Sequence, residues 1–453
     1  MERRGIRTQY QVHSIQGTSN GAQTGFFGMN TEKWIRYVLR AADKNLVFTT
    51  PFNLIDEHTL LGGFKLLDGS KAVGIDSVSK KIFKENLEEN IQQLLMELRA
   101  GKYRPLPRKE IQIPKANGKT RPIAIACFRD KVVEATVAKI LSIIYEPLFI
   151  RNSYGFRPNK SAHGAIDASF MILKDDKRPY VVEIDFKSFF NTVPHRELLS
   201  IIKKRINDRR LLTLIELFMK SKIVSLGTES WPQVGTPQGS VISPILSNIY
   251  LNEVLDQWFL QNYSSQEAQM VRYADDAVFM FSSKEQAINF MEDLQQRVSK
   301  FKLQLNMDKT KLVDFRKECH KTFSFLGFTF LWGKERGKRH NGLKIQTQKD
   351  KMFKKFEELK DWVKKNRNKL KVSSILKIVK SKLTGHYNYF GFKCNRSKLV
   401  HFYWLTEQTL YKWLNRRSQK KSYNWKQFCD LKTALPRPPE ICFLKPLGVR
   451  NAR

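Results

Sequence analysis

The chain has 453 residues, 41% of them hydrophobic, which is typical of a folded protein large enough for two or three domains. Its formal net charge of +37 indicates a polyanionic partner, and nucleic acid is favoured over a membrane surface. The five cysteines include no CxxC pair, which argues against a structural zinc site or a disulfide framework and favours an intracellular protein.

Residues 1–30 are polar and rich in Gly, Ser, Thr and Gln, and we expect them to form a flexible N-terminal extension. They lack the apolar core of a signal peptide, and no apolar run in the chain reaches membrane-spanning length. We therefore expect a cytoplasmic protein with no membrane partner, or one associated with the nucleoid through its substrate.

Residues 31–100 follow a mostly helical pattern. Its clearest helix is Asn86–Arg99, on which one face carries Leu87, Ile91, Leu94, Leu95 and Leu98. Two strand-like segments follow, Glu110–Pro114 and Thr120–Ile125, separated by a turn that contains Asn117-Gly118. This order predicts a β-hairpin.

Two adjacent carboxylates, Asp275 and Asp276, interrupt the apolar, strand-forming run Val271–Met280. Burying unpaired carboxylates is costly, so this position requires a compensating cation. A hard divalent ion bound through carboxylate oxygens provides that compensation, and nucleotidyl transfer depends on such ions.

A third carboxylate, Asp185, directly follows the strand-like run Tyr180–Ile184. Such a position would place it beside the acidic turn of a neighbouring strand, where Asp185 and Asp275 could bridge two Mg²⁺ ions. Asp276 is the weaker candidate ligand because strand neighbours point to opposite faces, although at a turn it could still approach. A strand-terminal Asp by itself is usually a turn residue.

Residues 331–453 contain 32 Lys or Arg against 8 Asp or Glu, about two thirds of the total charge excess. Apolar stripes at helical spacing predict a small helical bundle over 331–425, followed by a short basic tail over 426–453. We interpret the stripes as core and assign the functional role to the basic outer faces.

Eight short blocks, each a weak signal alone, occur in the order found in bacterial group II intron reverse transcriptases (intron maturases), which the chain resembles from about Phe64 to about Pro439. The blocks are Gly74–Val78, Ile113–Ile123, Ser153–Pro158, Tyr180–Asn191, Gly235–Pro244, Tyr273–Asp276, Leu305–Lys311 and Phe325–Phe328.

This resemblance implies an α+β right-hand polymerase. The fingers and palm would span 101–330 with an antiparallel palm sheet, after a helical extension over 31–100, and an all-α thumb or maturase (X) domain would span 331–425. The implied activity is RNA-directed DNA synthesis by two-metal transfer with Mg²⁺, for which Mn²⁺ can substitute. The implied partners are a template RNA (group II intron RNA), a DNA target or primer, and deoxynucleoside triphosphates, with intron RNA bound to assist splicing and retrohoming.

The resemblance also assigns nucleotide contacts. Lys115 and Arg121 would grip the triphosphate, with a solvated hairpin as the alternative. Phe190 would exclude a 2′-hydroxyl, or else be core packing. Gln238 would contact the nucleotide or the template, or else be an ordinary loop amide. Lys309 would lie near the triphosphate.

Further positions are assigned to nucleic acid by the same resemblance. Phe325–Phe328, with Phe325 and Gly327, would support the primer terminus, and Arg157 is either a template contact or part of a structural ion pair. The basic and aromatic C-terminal segments suit RNA through phosphate neutralisation and base stacking; their candidate residues are His386, Tyr387, Arg416, Arg417, Lys420 and Lys421.

Two other functions stay open. One is a splicing-only RNA-binding maturase, against which the intact acidic residues argue. The other is a domesticated reverse transcriptase in phage defence or DNA repair, whose motifs would look the same. No Cys/His-rich endonuclease segment follows Pro439, so we expect mobility to depend on existing breaks, replication forks or single-stranded targets.

Overall fold

The computed structural model describes residues 31–114, 120–225, 227–334, 341–419 and 422–439. The α-helices are α1 Thr31–Ala41, α2 Glu57–Leu66, α3 Lys80–Glu85, α4 Leu87–Arg99, α5 Phe128–Tyr145, α6 Ala162–Lys174, α7 Phe189–Thr192, α8 His195–Lys203, α9 Arg209–Met219, α10 Ser243–Leu251, α11 Gln257–Asn262, α12 Lys284–Lys300, α13 Lys349–Asn366, α14 Val372–Phe390, α15 Arg396–Leu414 and α16 Trp425–Lys432. The strands are β1 Arg108–Pro114, β2 Thr120–Ile125, β3 Tyr180–Ile184, β4 Ile223–Ser225, β5 Thr228–Ser230, β6 Ala268–Tyr273, β7 Asp276–Phe281, β8 Lys311–Asp314, β9 Phe323–Phe325, β10 Phe328–Lys334 and β11 Asn341–Thr347.

The helix predicted over Asn86–Arg99 is present as α4, and it buries the apolar face that the sequence pattern indicates. It packs with α2 and α5 in a helical layer. Helix α5 is buried over most of its length, with Val132, Val133, Val137 and Ile140 all fully enclosed. This buried helix connects the N-terminal layer to the sheets that follow.

The hairpin predicted from the Asn-Gly turn is also present, because β1 and β2 pair antiparallel from Lys109↔Ile125 to Pro114↔Thr120. Its tip, residues 115–119 with Lys115, lies outside the described residues. Strand β1 also pairs in parallel with β4, which gives a four-stranded sheet of order β2-β1-β4-β5.

A second sheet has the order β6-β7-β3-β8, with all of its pairs antiparallel. Its side chains alternate between two cores: Val182 and Phe279 face the helical core around α5, whereas Val181 and Met280 face the core shared with the C-terminal helices. Because both faces are covered, β7 is apolar at every position after Asp276.

The C-terminal part begins with a sheet of order β11-β10-β9, and only then becomes helical, from Lys349 onward. The prediction of an all-helical segment from residue 331 is therefore wrong for β10 and β11. The reason is visible in β10, where burial alternates with period two (Phe328, Phe330 and Trp332 are buried). Helix α16 also crosses the predicted boundary at residue 425, since its Phe428 is fully buried in this core.

Within the described ranges, no helix combines the length and hydrophobicity that are needed to cross a bilayer.

Candidate active site

The three aspartates meet at one end of the second sheet. Asp185 follows β3, and Ile184 of that strand pairs with Ala277 of β7, next to Asp276. Asp275 lies in the two-residue turn that joins β6 to β7, across which Tyr273 pairs with Asp276. The expected neighbourhood of Asp185 and the acidic turn is thus present in the structure.

The local charges show that these carboxylates act on one another. Desolvation and then the charge of Asp185 raise the pKa of Asp275. Asp276 is open to solvent on one side, yet the surrounding protein and then the charges of Asp275 and Asp185 raise its pKa to about 6. In surroundings that disfavour the ionised forms of Asp275 and Asp276, a bound cation would stabilise those forms.

Lys309 and Asn306 hold the Asp185 carboxylate. The Lys309 ammonium lies 3.1 Å from Asp185 Oδ2, and the Asn306 side-chain amide donates to the same oxygen at 3.0 Å. The Asn306 backbone N–H also donates to the Asp185 carbonyl at 2.7 Å. These contacts fix the direction of the carboxylate and place Lys309 beside the acidic cluster, whereas its predicted contact with the triphosphate stays a prediction.

A divalent ion suits this donor set, since three carboxylates share one strand end, where burial and then neighbouring carboxylates raise the pKa of Asp275 and Asp276. In the arrangement described, Lys309 provides the compensating positive charge at Asp185. Among the described residues, no three His, Cys, Asp or Glu side chains converge closely enough to enclose an ion. Because the Lys309 ammonium lies 3.1 Å from Asp185 Oδ2, an ion bound by this oxygen would take the place of Lys309.

Arg272, a buried arginine beneath this turn, was not among the site residues predicted from the sequence. Arg272 is 0% exposed, and its guanidinium donates to both carboxylate oxygens of Asp256, at 2.7 and 2.5 Å. Its third nitrogen donates to the Ala274 carbonyl at 2.8 Å and to Asn248 Oδ1 at 3.1 Å. Asp256 ends a single π-helical turn, Asn252–Asp256, between α10 and α11. The pair therefore anchors the acidic turn to the helix behind it.

Gly155, in the Ser153–Pro158 block, lies against the backbone of the acidic turn. A Cβ at Gly155 would lie 2.2 Å from the Ala274 backbone nitrogen, so only glycine allows this approach to the turn. The Gly155 carbonyl also accepts from Asn248 Nδ2 at 2.7 Å. A glycine in that block and a charged residue inside an apolar strand were the sequence signals for these supports.

Arg157 forms a structural ion pair, which is one of its two alternatives. Its guanidinium contacts Glu146 at 2.8 Å and donates to the carbonyls of Ile150 and Ser153 at 2.6 and 2.7 Å. The side chain is only 5% exposed. A template contact through this guanidinium is not supported, because its donors are directed inward.

Phe190 and Gln238 border one cavity of about 190 Å³, between α7 and the loop 235–239. Phe190 is half-buried, and Gln238 donates to Asn191 Oδ1 at 3.1 Å. The Gln238 carbonyl accepts from Ala124 of β2 at 2.8 Å, which ties this loop to the hairpin. Arg121, on the same strand, is exposed, and its charge lowers the pKa of Asp275.

The Phe325–Phe328 segment forms a tight turn between β9 and β10. Leu326 and Gly327 both have positive φ, 49° and 84°, as a two-residue hairpin turn of type I′ requires. Phe325 itself is buried, so its side chain is part of the core and cannot contact a primer directly. In the turn itself Leu326 is half-buried and Gly327 is buried, and the Leu326 carbonyl accepts from the Tyr389 hydroxyl at 2.9 Å.

His386 and Tyr387 do not lie on an open RNA-facing surface, since they are only 8% and 7% exposed. The His386 ring stacks on Phe402, with the ring centroids 4.0 Å apart. Both residues belong to the core that joins α14 to α15.

Arg416 is exposed and belongs to a cluster of cations around the half-buried Trp413 ring. Four cationic groups lie 5.0 to 5.8 Å from the ring centre: Lys364, Arg367, Lys412 and Arg416. We call these five residues the Trp413 cluster. Arg417 is half-buried beside it, whereas Lys420 and Lys421 lie outside the described residues.

Comparison with known proteins identifies the matching families. Residues 113–330 match the reverse transcriptase (RNA-dependent DNA polymerase) family. The chain is 34% identical over 278 residues to protein YkfC of Escherichia coli K12, which covers 54% of this chain and 73% of that protein.

It is 38% identical over 180 residues to the group II intron-encoded protein LtrA of Lactococcus lactis subsp. cremoris, across 38% of this chain and 29% of that one. It is also 36% identical over 176 residues to an uncharacterized 91 kDa protein in the cob intron of Schizosaccharomyces pombe, across 39% and 21% of the two chains. The match thus spans nearly three quarters of the first relative but under a third of the other two.

Proposed function

The chain belongs to the family of group II intron reverse transcriptases and maturases, and from this premise we propose that it copies RNA into DNA at Asp185, Asp275 and Asp276. RNA-directed DNA polymerase activity and intron-type maturase function are the activities of this family. The observation that carries the proposal is the position of three carboxylates at one end of one sheet, where burial and then neighbouring carboxylates raise the pKa of Asp275 and Asp276, with Lys309 beside Asp185.

Asp185 and Asp275 would hold two Mg²⁺ ions with Asp276 in support, and Mn²⁺ would accept the same oxygen ligands. When bound, such ions activate the primer 3′-hydroxyl and stabilise the charge of the in-line transition state. The turn must therefore stay rigid, and the Arg272–Asp256 pair provides that rigidity.

The cations of this site would bind the triphosphate. Arg121 and Lys309 lie near enough for their charges to offset part of the burial-driven rise in the pKa of Asp275 and Asp276 respectively. Released from Asp185, Lys309 would turn its ammonium to the phosphates, and Lys115 would be a further cation for them.

Phe190 and Gln238 would shape the sugar and base subsite. They border the same cavity, and Gln238 is fixed by hydrogen bonds to Asn191 and β2. A rigid aromatic ring beneath the sugar would exclude a 2′-hydroxyl, so we assign deoxynucleotide selection to Phe190.

We assign the fingers, palm and thumb of a right-hand polymerase to separate groups of elements in this chain. The fingers would combine α1–α5 with the β2-β1-β4-β5 sheet, and the palm would be the β6-β7-β3-β8 sheet. The thumb or X domain would be α13–α16, beginning at Lys349. Intron RNA would bind the basic faces of these helices, with the Trp413 cluster as the main contact.

Two assays on one preparation test the proposal. Purified protein should extend a DNA primer on an RNA template in a Mg²⁺-dependent reaction. A protein that promotes intron splicing while extending no primer would instead support the splicing-only maturase. Intron RNA structure flanking the reading frame separates an intron-encoded enzyme from a domesticated one.

A further inference from the structure

A cavity of about 400 Å³ lies between α13, α14 and α15. Its volume is within the range that small-molecule sites occupy. Leu359, Phe390 and Phe402 give it apolar walls, whereas Lys355, Lys382 and His386 supply polar groups. This combination suits a ligand that has a flat apolar body and a negative charge.

His386 brings an unsatisfied hydrogen-bonding atom to this cavity. The residue is more than nine-tenths buried, and its Nε2 has no hydrogen-bond partner. Burial and then the charge of Lys355 lower the pKa of His386 to about 4, so the ring is neutral at physiological pH. A buried polar atom without a partner is unfavourable, and a ligand that hydrogen-bonds to Nε2 would relieve this.

Gly385 keeps one wall of the cavity open. It lies inside helix α14, where glycine is about 1 kcal/mol less favourable than alanine. A Cβ added there would meet no atom within 4 Å, so packing does not demand a glycine. The missing side chain leaves space at the cavity wall.

The charges at the cavity favour a nucleic-acid strand. Glu358 is also part of the lining, but it is paired with Lys355 at 2.8 Å, which leaves Lys382 as the cation available to a phosphate. Lys351, one helical turn before Lys355, lies against the Leu326-Gly327 turn, and its charge partly offsets the rise in the pKa of Asp276. Tyr389, which lines the cavity, donates to the Leu326 carbonyl of the same turn. A strand whose end lay at the aspartates would therefore pass this cavity.

We propose that this cavity binds one unpaired nucleotide of the strand that passes the acidic turn. The base would enter between the aromatic walls and hydrogen-bond to His386 Nε2, and its phosphate would contact Lys382. Both RNA and DNA strands carry the base and the phosphate that these contacts require. The proposal rests on the proposed function only for the class of ligand, because binding here involves none of the three aspartates.

Binding can be measured without catalysis. Unstructured 12-nucleotide RNA and DNA probes, each with one 2-aminopurine, are titrated onto the full-length protein, and the fluorescence quenching on base stacking is recorded. We expect saturable quenching. The probe that binds with the higher affinity, RNA or DNA, identifies which kind of strand occupies the cavity. Gly385→Leu fills the cavity and should abolish the quenching, whereas Gly385→Ala, which adds one methyl group, should preserve it.

Two further variants address the polar contacts. His386→Phe keeps the ring but removes Nε2, and it should weaken probe binding about tenfold, the equivalent of one hydrogen bond of about 1.4 kcal/mol. Lys382→Ala should weaken binding similarly, whereas Lys380→Ala, an exposed position on the same helix, should not.

Unchanged quenching in Gly385→Leu and His386→Phe would overturn the proposal. If Gly385→Leu fails to give a cooperative thermal transition, the decision rests on His386→Phe and the lysine pair. Primer extension by the wild-type protein, measured in parallel, separates failure of this site from failure of the polymerase assignment.

Discussion

Arg272 carries a full charge in a part of the strand where its neighbours are apolar, and its role follows from what it touches. It ties Asp256 to the Ala274 carbonyl, one residue before Asp275. We predict that Arg272→Gln leaves Asp256 buried and unpaired and lowers the free energy of unfolding by about 3–5 kcal/mol. Denaturant unfolding measures this change.

The same variant tests whether Arg272 positions the acidic turn for catalysis. Below the unfolding transition, Arg272→Gln should lower kcat for primer extension while leaving KM for the nucleotide nearly unchanged, because the turn moves but the triphosphate cations remain. Lys302→Gln is the matched control, since the Lys302–Glu197 pair is solvent-exposed and should contribute little. An equal loss of kcat in both variants would contradict a positioning role.

Phe190 offers a test of substrate selection. Phe190→Val removes the ring that borders the sugar cavity, so ribonucleotides should be incorporated at least about tenfold more efficiently relative to deoxynucleotides. Single-nucleotide incorporation with matched dNTP and rNTP pairs measures this ratio. Unaltered discrimination would leave Phe190 with its alternative role in core packing.

Much of the site at this scale was predictable from local patterns. Asp275 and Asp276 are conspicuous because burying unpaired carboxylates in an apolar run is costly, and Asp185 becomes a candidate only in combination with them. The burial of Phe325, His386 and Tyr387 was not predictable, because it depends on which helix face meets the rest of the chain.

At the scale of elements, the turn between β6 and β7 depends on the loop that carries Gly155. Gly155→Ala would force a Cβ to within 2.2 Å of the Ala274 nitrogen, so the turn must shift. A misplacement of about 1 Å can reduce activity about a hundredfold, and we predict a loss of that order. Steady-state primer extension measures it.

The control for this prediction is Gly333→Ala in β10. A Cβ there would make only ordinary contacts, at 3.6 Å or more, so activity should be retained. Wild-type activity in Gly155→Ala would show that the turn tolerates displacement.

The elements themselves were predicted unevenly. The hairpin β1–β2 and helix α4 carry strong local signals, an Asn-Gly turn and an amphipathic repeat, and both are present. Strand β11 was missed because its pairing partner β10 lies across a segment whose basic composition suggested only helices. Pairing between strands depends on contacts that composition does not report.

For the whole molecule, the dominant property is the charge of +37 and its concentration in the C-terminal part. The Trp413 cluster adds stacking to this charge. We predict that Arg367→Gln with Arg416→Gln weakens RNA binding and lowers the slope of log K against log salt by about 0.7 for each phosphate that the protein no longer neutralises.

Filter binding of intron RNA at several salt concentrations measures that slope. Lys102→Gln, an exposed lysine elsewhere in the chain, is the control and should change little. Equal slopes for the double variant and the wild type would show that the RNA-binding face lies elsewhere.

At this scale the sequence predicted the class of protein well, since eight blocks in order and a one-sided charge are properties of the chain itself. The residues that hold the acidic turn in place could not be predicted from sequence motifs or from charge. Asn248, Asp256 and Gly155 are distant from Asp275 in sequence and become its neighbours only through the packing of α10 and the π-helical turn.

The most direct test of the central claim compares the wild-type protein with Asp275→Asn in Mg²⁺-dependent cDNA synthesis on an RNA template, with RNA binding measured on the same preparations. We expect the wild type to extend the primer only with a divalent ion, and Asp275→Asn to bind RNA equally well but to make no detectable cDNA. Primer extension by Asp275→Asn at a rate near that of the wild type would contradict it.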